Sequence, residues 1–166
     1  MQKTKKKAVL FVYGEGGHRA EMVNLLKYNI VPEDLNVSKI GIFENGDKVD
    51  FLDENFELPI INDKYSRLRT LFGILACIIK NFKVFRRIKK TYQVSILVTI
   101  GPGIAIIPAI YYRLKGTKIV FIETSSRFYS KSYTGRVLEK LAAKVYVQNE
   151  ELMSIYKNSE YCGKLL

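Results

Sequence analysis

Hydrophobic positions in this chain form short uninterrupted runs, and between the runs they recur every three or four residues. The runs are rich in Val, Ile and Phe and predict strands, whereas the wider spacing predicts helices. Strands are expected at residues 7–13, 37–43, 94–100, 118–122 and 144–148, and helices at 18–28, 66–90, 104–114, 134–142 and 150–156. This alternation is typical of βαβ units, so it predicts an α/β fold, a Rossmann-like parallel sheet with helices on both faces.

Two helix ends carry local signals. Asn149 precedes two acidic residues and is the predicted N-cap of the last helix, and Gly116 is the predicted stop of the third.

Length and composition limit the class of protein. The 166 residues are 48% hydrophobic and 26% charged, which fits a single globular domain spanning residues 1–166. Cys77 and Cys162 have neither CxxC nor metal-site spacing, so we expect two reduced, packed thiols, as in the cytoplasm. The apolar run at residues 8–13 is too short for a signal peptide. We expect no export, no metal and no cofactor.

The net charge of +11 is concentrated in two segments, residues 1–7 and 64–90, and the second contains no acid. Within it, apolar and basic residues follow two different helical stripes, which predicts a basic amphipathic helix at about 66–90. Its uninterrupted apolar core is too short to span a bilayer, so the helix could lie in the interface of an anionic membrane. The alternative is a core-packing helix with a solvated basic end. The candidate membrane contacts are Lys80, Lys83, Arg86 and Arg87.

Three polar loops follow predicted strands. The first is Gly14-Glu15-Gly16-Gly17-His18, which contains the only histidine, and the others are Gly101-Pro102-Gly103 and Glu123-Thr124-Ser125-Ser126-Arg127. Because ligands of a doubly wound sheet bind beyond the carboxyl ends of the strands, we expect these loops to form one site. Glycines and a helix N-terminus suit an anion such as phosphate. The candidate phosphate-binding residues are Gly14, Gly16, Gly17, Arg19, Gly101, Gly103, Ser125 and Arg127.

The first loop departs from the dinucleotide-binding fingerprint. Arg19 stands where G-x-G-x-x-G has its third glycine, so NAD binding is not expected. Glu44 follows the second strand, where a ribose-binding acid would lie, but the acidic stretch at residues 44–63 reads equally as solvated surface.

Together these residues resemble a known family. The pattern G-x-G-G-H-x-x-E-M at residues 14–22, the 101–103 loop, and the run from Phe121 to Arg127 and on through Thr134-Gly135-Arg136 to Gln148 carry the resemblance. The family is the membrane subunit of the bipartite UDP-GlcNAc transferase of asparagine-linked glycosylation, with its bacterial capsule and exopolysaccharide relatives of the PssD/EpsE type. More distantly, the chain resembles the N-terminal half of MurG.

The resemblance implies the N-terminal, acceptor-side domain of a GT-B glycosyltransferase. A separate subunit would bind the UDP-sugar, and the chain would be inactive alone. The acceptor would be a polyprenyl-diphosphate-linked sugar at the cytoplasmic face of a membrane, to which the chain would bind peripherally. A bacterial origin and a role in capsular or exopolysaccharide synthesis are expected.

The resemblance also implies roles for two candidate catalytic residues. The glycine loop and His18 would meet the acceptor diphosphate or the attacking hydroxyl, and Glu123 would hold or activate the acceptor sugar. An inverting transfer needs one base, and either residue could supply it. The structural alternatives are that His18 only caps a helix and that Glu123 only fastens the loop after it.

Two other classes of function remain. One is a self-sufficient small Rossmann-type nucleotide-binding enzyme. The other is a basic nucleic-acid-binding module, although the aromatic stacking residues or recognisable module expected of one are missing beside the basic segments. Nucleic acid is therefore not an expected partner.

Overall fold

The architecture is a parallel sheet of seven strands with helices on both faces. A computed structural model describes residues 4–44, 49–58 and 67–166, leaving aside the side chains of 33 and 67–77. The strands are β1 (Lys6–Tyr13), β2 (Ser38–Glu44), β3 (Glu54–Leu58), β4 (Tyr92–Thr99), β5 (Lys118–Ile122), β6 (Lys144–Val147) and β7 (Ser159–Tyr161). Their order is β3-β2-β1-β4-β5-β6-β7, and every adjacent pair is parallel.

The helices connect these strands much as the sequence predicts. They are α1 (Gly17–Lys27), α2 (Arg67–Thr91), α3 (Ile106–Leu114) and α4 (Tyr133–Leu141). Short 3-10 turns occupy Glu33–Leu35, Gly103–Ala105 and Glu150–Ser154. The five predicted strands lie within two residues of their expected ends, and the predicted fold class is confirmed. Gly116 adopts a φ of 83° just beyond α3, as expected of a helix stop.

Two strands at the sheet edges, β3 and β7, were not predicted from the sequence. In β3, buried Phe56 and Leu58 flank exposed Glu57, so the acidic stretch is partly an edge strand rather than solvated surface throughout. β7 has only three residues, too few for a visible alternation. The predicted helix at 150–156 is a 3-10 turn, and the Asn149 side chain makes no capping hydrogen bond to it.

Among the helices that the structure describes, α1 covers one face of the sheet by itself. The side chains of α1 pack with alternate residues of β1 and β4, whereas α2, α3 and α4 contribute to the core on the opposite face. Beside α1, an apolar cavity of about 690 Å³ lies over the middle of the sheet. Its lining includes Val98, Val120, Ile122, Tyr146 and Leu165.

The basic helix α2 has a core side and a solvent side. Phe85, on the predicted apolar stripe, is fully buried and packs on the sheet together with Ile88. Phe82, on the same predicted stripe, is 49% exposed. Among the described residues, no helix combines the length and apolar character needed to cross a bilayer.

Cys162 differs from the expectation of two packed thiols. Cys162 is free and exposed, directly after the edge strand β7. The side chain of Cys77 lies outside the described part.

Candidate functional site

The loops after β1 and β4 meet at the carboxyl edge of the sheet. The chain order reverses between these two strands, so neighbouring loops diverge there and leave a crevice. A Cβ atom on Gly14 would lie 2.9 Å from Cβ of Pro102, which shows how closely the loops approach. The Thr99 hydroxyl donates to the Val12 carbonyl at 2.9 Å and accepts from the Gly101 N–H at 3.2 Å. The structure thus brings two of the three predicted loops together, and we call the place where they meet the cradle (residues 14–17 and 101–103).

At three of its glycines, the backbone of the cradle faces open space. A Cβ on Gly16, Gly17 or Gly103 would meet no atom within 4 Å. Gly16 is the N-cap of α1 and supplies no side-chain cap. The first N–H groups of a helix lack intrahelical carbonyl partners and carry the positive end of its dipole. The cradle therefore has the donors, the charge and the space that an anion needs.

His18 stands beside the cradle, in the first turn of α1. Its ring is half-buried, and Nδ1 is enclosed with no hydrogen-bond partner among the described residues. Cδ2 of His18 would lie 3.8 Å from a Cβ on Gly14, and Oε2 of Glu44 would lie 3.5 Å from the same point. Burial, and then the nearby charge of Glu15, raise the pKa of Glu44. Glu44 thus borders the cradle, as its place at the end of β2 could have indicated.

Arg19 is half-buried on the same helix turn, close to the end of β1. Burial raises the pKa of Tyr13 to about 12, and a backbone hydrogen bond at Val49 and the charge of Arg19 act in the opposite direction. Arg19 therefore lies near Tyr13, the residue that precedes the cradle.

Glu123 lies inside the loop between β5 and α4 (residues 123–132, the β5–α4 loop). It is fully buried. Its Oε2 accepts from the Ser132 N–H at 3.1 Å, from the Ser132 hydroxyl at 3.0 Å and from the Tyr156 hydroxyl. Its Oε1 accepts from the Thr124 N–H at 3.2 Å. Burial, and then the bond to Glu123, raise the pKa of Tyr156. This geometry is that of a carboxylate that fastens the loop.

Gly135 makes room for that carboxylate. A Cβ there would lie 2.5 Å from Oε2 of Glu123 and 2.7 Å from Oγ of Ser132, and it would also collide with the Tyr156 hydroxyl. Ser132 is the N-cap of α4 and accepts the Gly135 N–H at 2.8 Å. Gly135 therefore helps to shape the β5–α4 loop.

Further polar side chains hold the β5–α4 loop. Nδ2 of Asn149 donates to the carbonyls of Ser125 at 2.8 Å and Arg127 at 2.5 Å, which explains why it does not cap the following turn. Nε2 of Gln148 donates to the Glu123 carbonyl at 3.0 Å.

Glu21 belongs to the pattern at residues 14–22 but was not among the predicted site residues. It is 1% exposed on α1, and its Oε1 accepts from the Thr124 hydroxyl and from both the N–H and the hydroxyl of Ser125. Glu21 precedes Leu25 by four residues, so an acid stands on the buried stripe of α1, and this was the available signal. The hydroxyl of Ser125, predicted to bind phosphate, is thus directed to Glu21.

The predicted site residues separate into three places. The glycines at 14, 16, 17, 101 and 103 join His18 at the cradle, while Glu123 and Ser125 belong to the internal bonding of the β5–α4 loop. Arg127 is exposed on that loop. The basic residues of α2 lie elsewhere, because α2 returns the chain from β3 to the amino end of β4. Lys80, Lys83, Arg86 and Arg87 are exposed there, and Arg87 lies over the Phe56 ring at 5.6 Å.

A family model and individual relatives point to the same protein family. A family model described as "Oligosaccharide biosynthesis protein Alg14 like" matches residues 62–165. "UDP-N-acetylglucosamine transferase subunit ALG14" of Kluyveromyces lactis is 25% identical, over 97% of this chain and 80% of its own length. The corresponding subunit of Schizosaccharomyces pombe is 24% identical, over 95% of this chain and 83% of its own. These relatives are yeast proteins, which speaks against the expected bacterial origin.

Solved structures share the fold. MurG of Acinetobacter baumannii has a TM-score of 0.62 at 14% identity, covering 96% of this chain and 44% of MurG. UDP-N-acetylglucosamine 2-epimerase of Rickettsia bellii has a TM-score of 0.59 at 12% identity, covering 98% and 46%. The chain therefore spans less than half the length of these solved proteins.

Proposed function

Because this chain belongs to the family of Alg14-like oligosaccharide biosynthesis proteins, we propose that it is the acceptor-binding, membrane-associating subunit of a two-component glycosyltransferase. The complete enzyme transfers a sugar from a UDP-sugar to a polyprenyl-diphosphate-linked acceptor, as in capsular or exopolysaccharide synthesis. The word "subunit" in the relatives' names supports a separate partner, to which we assign the UDP-sugar. The observation that carries the proposal is the open cradle at the point where the sheet order reverses.

The acceptor diphosphate occupies the cradle. The free N–H groups of the first turn of α1 and the positive end of its dipole favour an anion there. The open space at Gly16, Gly17 and Gly103 supports this placement, since a backbone with no side chain in front of it can approach phosphate oxygens closely.

His18 is the base. The acceptor hydroxyl attacks the anomeric carbon of the donor sugar, the bond to UDP breaks, and the hydroxyl proton passes to the imidazole. Two observations favour His18 over Glu123. His18 is half-buried beside the cradle, whereas Glu123 is fully buried with donors on both of its oxygens. We assign Glu123 to holding the β5–α4 loop.

Transfer activity tests this proposal. The purified chain alone should form no product from UDP-N-acetylglucosamine and a polyprenyl-diphosphate-linked acceptor, and the complex purified from the native host should form it. In that complex, His18→Ala should lower the rate by about a hundredfold or more, the usual contribution of a general base. Tyr28→Ala, an exposed residue at the other end of α1, is the control and should keep the wild-type rate. Rapid transfer by the chain alone would refute the split enzyme.

Helix α2 binds the membrane surface from the cytoplasmic side. Ile79 and Phe82 are 50% and 49% exposed, and by helical spacing they share a side of α2 with Lys83, Arg86 and Lys90. Exposed apolar side chains beside basic ones suit an anionic lipid interface. Peripheral attachment through α2 would bring the chain to the membrane that holds its acceptor.

Vesicle sedimentation tests the membrane surface. Replacing Lys80, Lys83, Arg86 and Arg87 with Gln should weaken binding to phosphatidylserine-containing vesicles at least tenfold, since each basic residue near such a surface contributes about 1 kcal/mol. The matched control replaces four exposed lysines elsewhere, Lys27, Lys118, Lys140 and Lys157, with Gln. Equal losses in the two variants would show that net charge, and not α2, determines binding.

A further inference from the structure

We infer that Glu21 is a positioning residue of this site: its buried carboxylate holds the start of the β5–α4 loop against α1 and thereby fixes that loop relative to His18. The inference rests on the proposed function for its consequence in ligand binding. The contact itself does not depend on that function.

The contacts are concentrated on one oxygen. Oε1 of Glu21 accepts from the Ser125 N–H at 2.8 Å, from the Ser125 hydroxyl at 2.6 Å and from the Thr124 hydroxyl at 3.1 Å. Oε2 has no hydrogen-bond partner among the described residues. All the hydrogen bonding that the structure gives this carboxylate therefore goes to the β5–α4 loop.

Position 21 would suit an apolar residue if packing alone mattered. Its neighbours on the buried side of α1, Met22 and Leu25, are core residues, and Glu21 is itself 1% exposed. A buried carboxylate is costly unless it is hydrogen-bonded, and bonds to a charged group are stronger than neutral ones. The hydrogen bonds that Glu21 accepts from the β5–α4 loop therefore explain why an acid stands at this position.

Glu21 lies three residues after His18, about one turn along the same helix. A shift of the Thr124–Ser125 segment away from Glu21 would change its distance from the imidazole. The same segment is held from the other side, where Glu123 accepts the Thr124 N–H and Asn149 donates to the Ser125 carbonyl. Glu21 is the member of this set that belongs to the cradle's own helix.

The consequence concerns the next residues of the loop. Ser126 and Arg127 are exposed and follow directly after the fixed segment. With Glu21 in place they are held in one position relative to the N-terminus of α1. Without it, the two sides of an anion site would no longer be pre-organised.

The test uses the full chain with inorganic pyrophosphate as the probe. Glu21→Ala should speed hydrogen exchange of the Ser125 amide and weaken pyrophosphate binding, each by about tenfold, the effect of losing about 1.4 kcal/mol. Glu21→Gln keeps an oxygen acceptor and should restore both values to within about threefold of wild type. Asp53→Ala, which removes a carboxylate bonded to the Lys39 N–H on another strand, is the control and should change neither value.

The results of these experiments distinguish the role of Glu21 from the proposed cradle. Wild-type exchange at Ser125 in Glu21→Ala overturns the inference, and so does a Gln variant that behaves like Ala. If Glu21→Ala does not fold, the double variant Thr124→Val and Ser125→Ala removes the two hydroxyl donors instead. This variant should also bind pyrophosphate more weakly than the wild type. Wild-type affinity in it would refute the inference. If the wild-type chain does not bind pyrophosphate, the proposed cradle fails, and amide exchange still decides the role of Glu21.

Discussion

The cradle and the β5–α4 loop lie on the same edge of one sheet but are built differently. In the cradle, glycines leave the backbone facing open space, and the N-terminus of α1 has no side-chain cap. At the β5–α4 loop, acidic side chains accept from the loop's N–H groups and hydroxyls, and amide side chains donate to its carbonyls. A polar residue after a parallel strand is therefore not by itself a ligand-binding residue. What distinguishes the two regions is whether the polar groups already have partners.

The two regions also differ in whether their polar groups serve ligand binding or stability. Replacing a group whose donors are free costs little stability, and such a group can bind a ligand. Removing a buried, fully bonded group costs much more stability, because its partners are left unsatisfied. His18 and Glu123 represent these two cases. Variants at both regions can test the distinction.

The largest expected effect is at Glu123. Glu123→Ala leaves the donors of Thr124, Ser132 and Tyr156 without their acceptor and should lower the free energy of unfolding by about 4 kcal/mol. His18→Ala should lower it by less than about 1 kcal/mol. Chemical denaturation measures both. A stable Glu123→Ala variant without transfer activity would instead return Glu123 to the catalytic role considered from the sequence.

The next effect is at the two kinds of glycine. Gly135→Ala places a methyl group against the Glu123 carboxylate and should cost about 3 kcal/mol of stability, at the upper end for overpacking. Gly103→Ala meets no atom within 4 Å and should be near neutral in thermal unfolding. If the two variants melt at the same temperature, the tight packing described for the β5–α4 loop is incorrect.

The smallest effect is alkaline destabilisation at the cradle side. Burial raises the pKa of Tyr13 to about 12, so above pH 10 the unfolded chain loses this phenolic proton while the folded chain keeps it. Stability is therefore complete below about pH 10 and falls by about 2 kcal/mol as the pH rises to 12.

Denaturation at pH 9 and pH 12 measures this fall. Tyr13→Phe should reduce it, although the variant also loses the bond from the Tyr13 hydroxyl to Asn55 at both pH values. Tyr28→Phe, at an exposed position, is the control. An unchanged fall in Tyr13→Phe would show that other groups cause it.

Local patterns predicted most of the fold. The run before Gly14 and the helical spacing after it identified β1, the glycine loop and α1, because strand and helix periodicities are set within a few residues. The central strands, buried on both faces, were equally visible. The edge strand β3 was not, since its alternation covers five residues in an acidic stretch.

The hydrogen-bond partners of the polar side chains were harder to predict. Asn149 follows a strand and precedes two acids, so it reads as a helix cap, yet its amide group bonds to a loop more than twenty residues earlier. No local rule distinguishes these two uses of one amide.

The sequence by itself determined the parallel α/β sheet and the position of the open glycine loop, because backbone geometry and hydrophobic periodicity are local properties. The tertiary structure decided which polar residues stay free. Glu21 and Ser125 are 104 residues apart, and the exclusion of water from their contact depends on α1 and the β5–α4 loop coming together in the fold. Burial and hydrogen-bond partners arise only when distant segments meet, so the tertiary structure, and not the sequence pattern, separated the open cradle from the fastened loop.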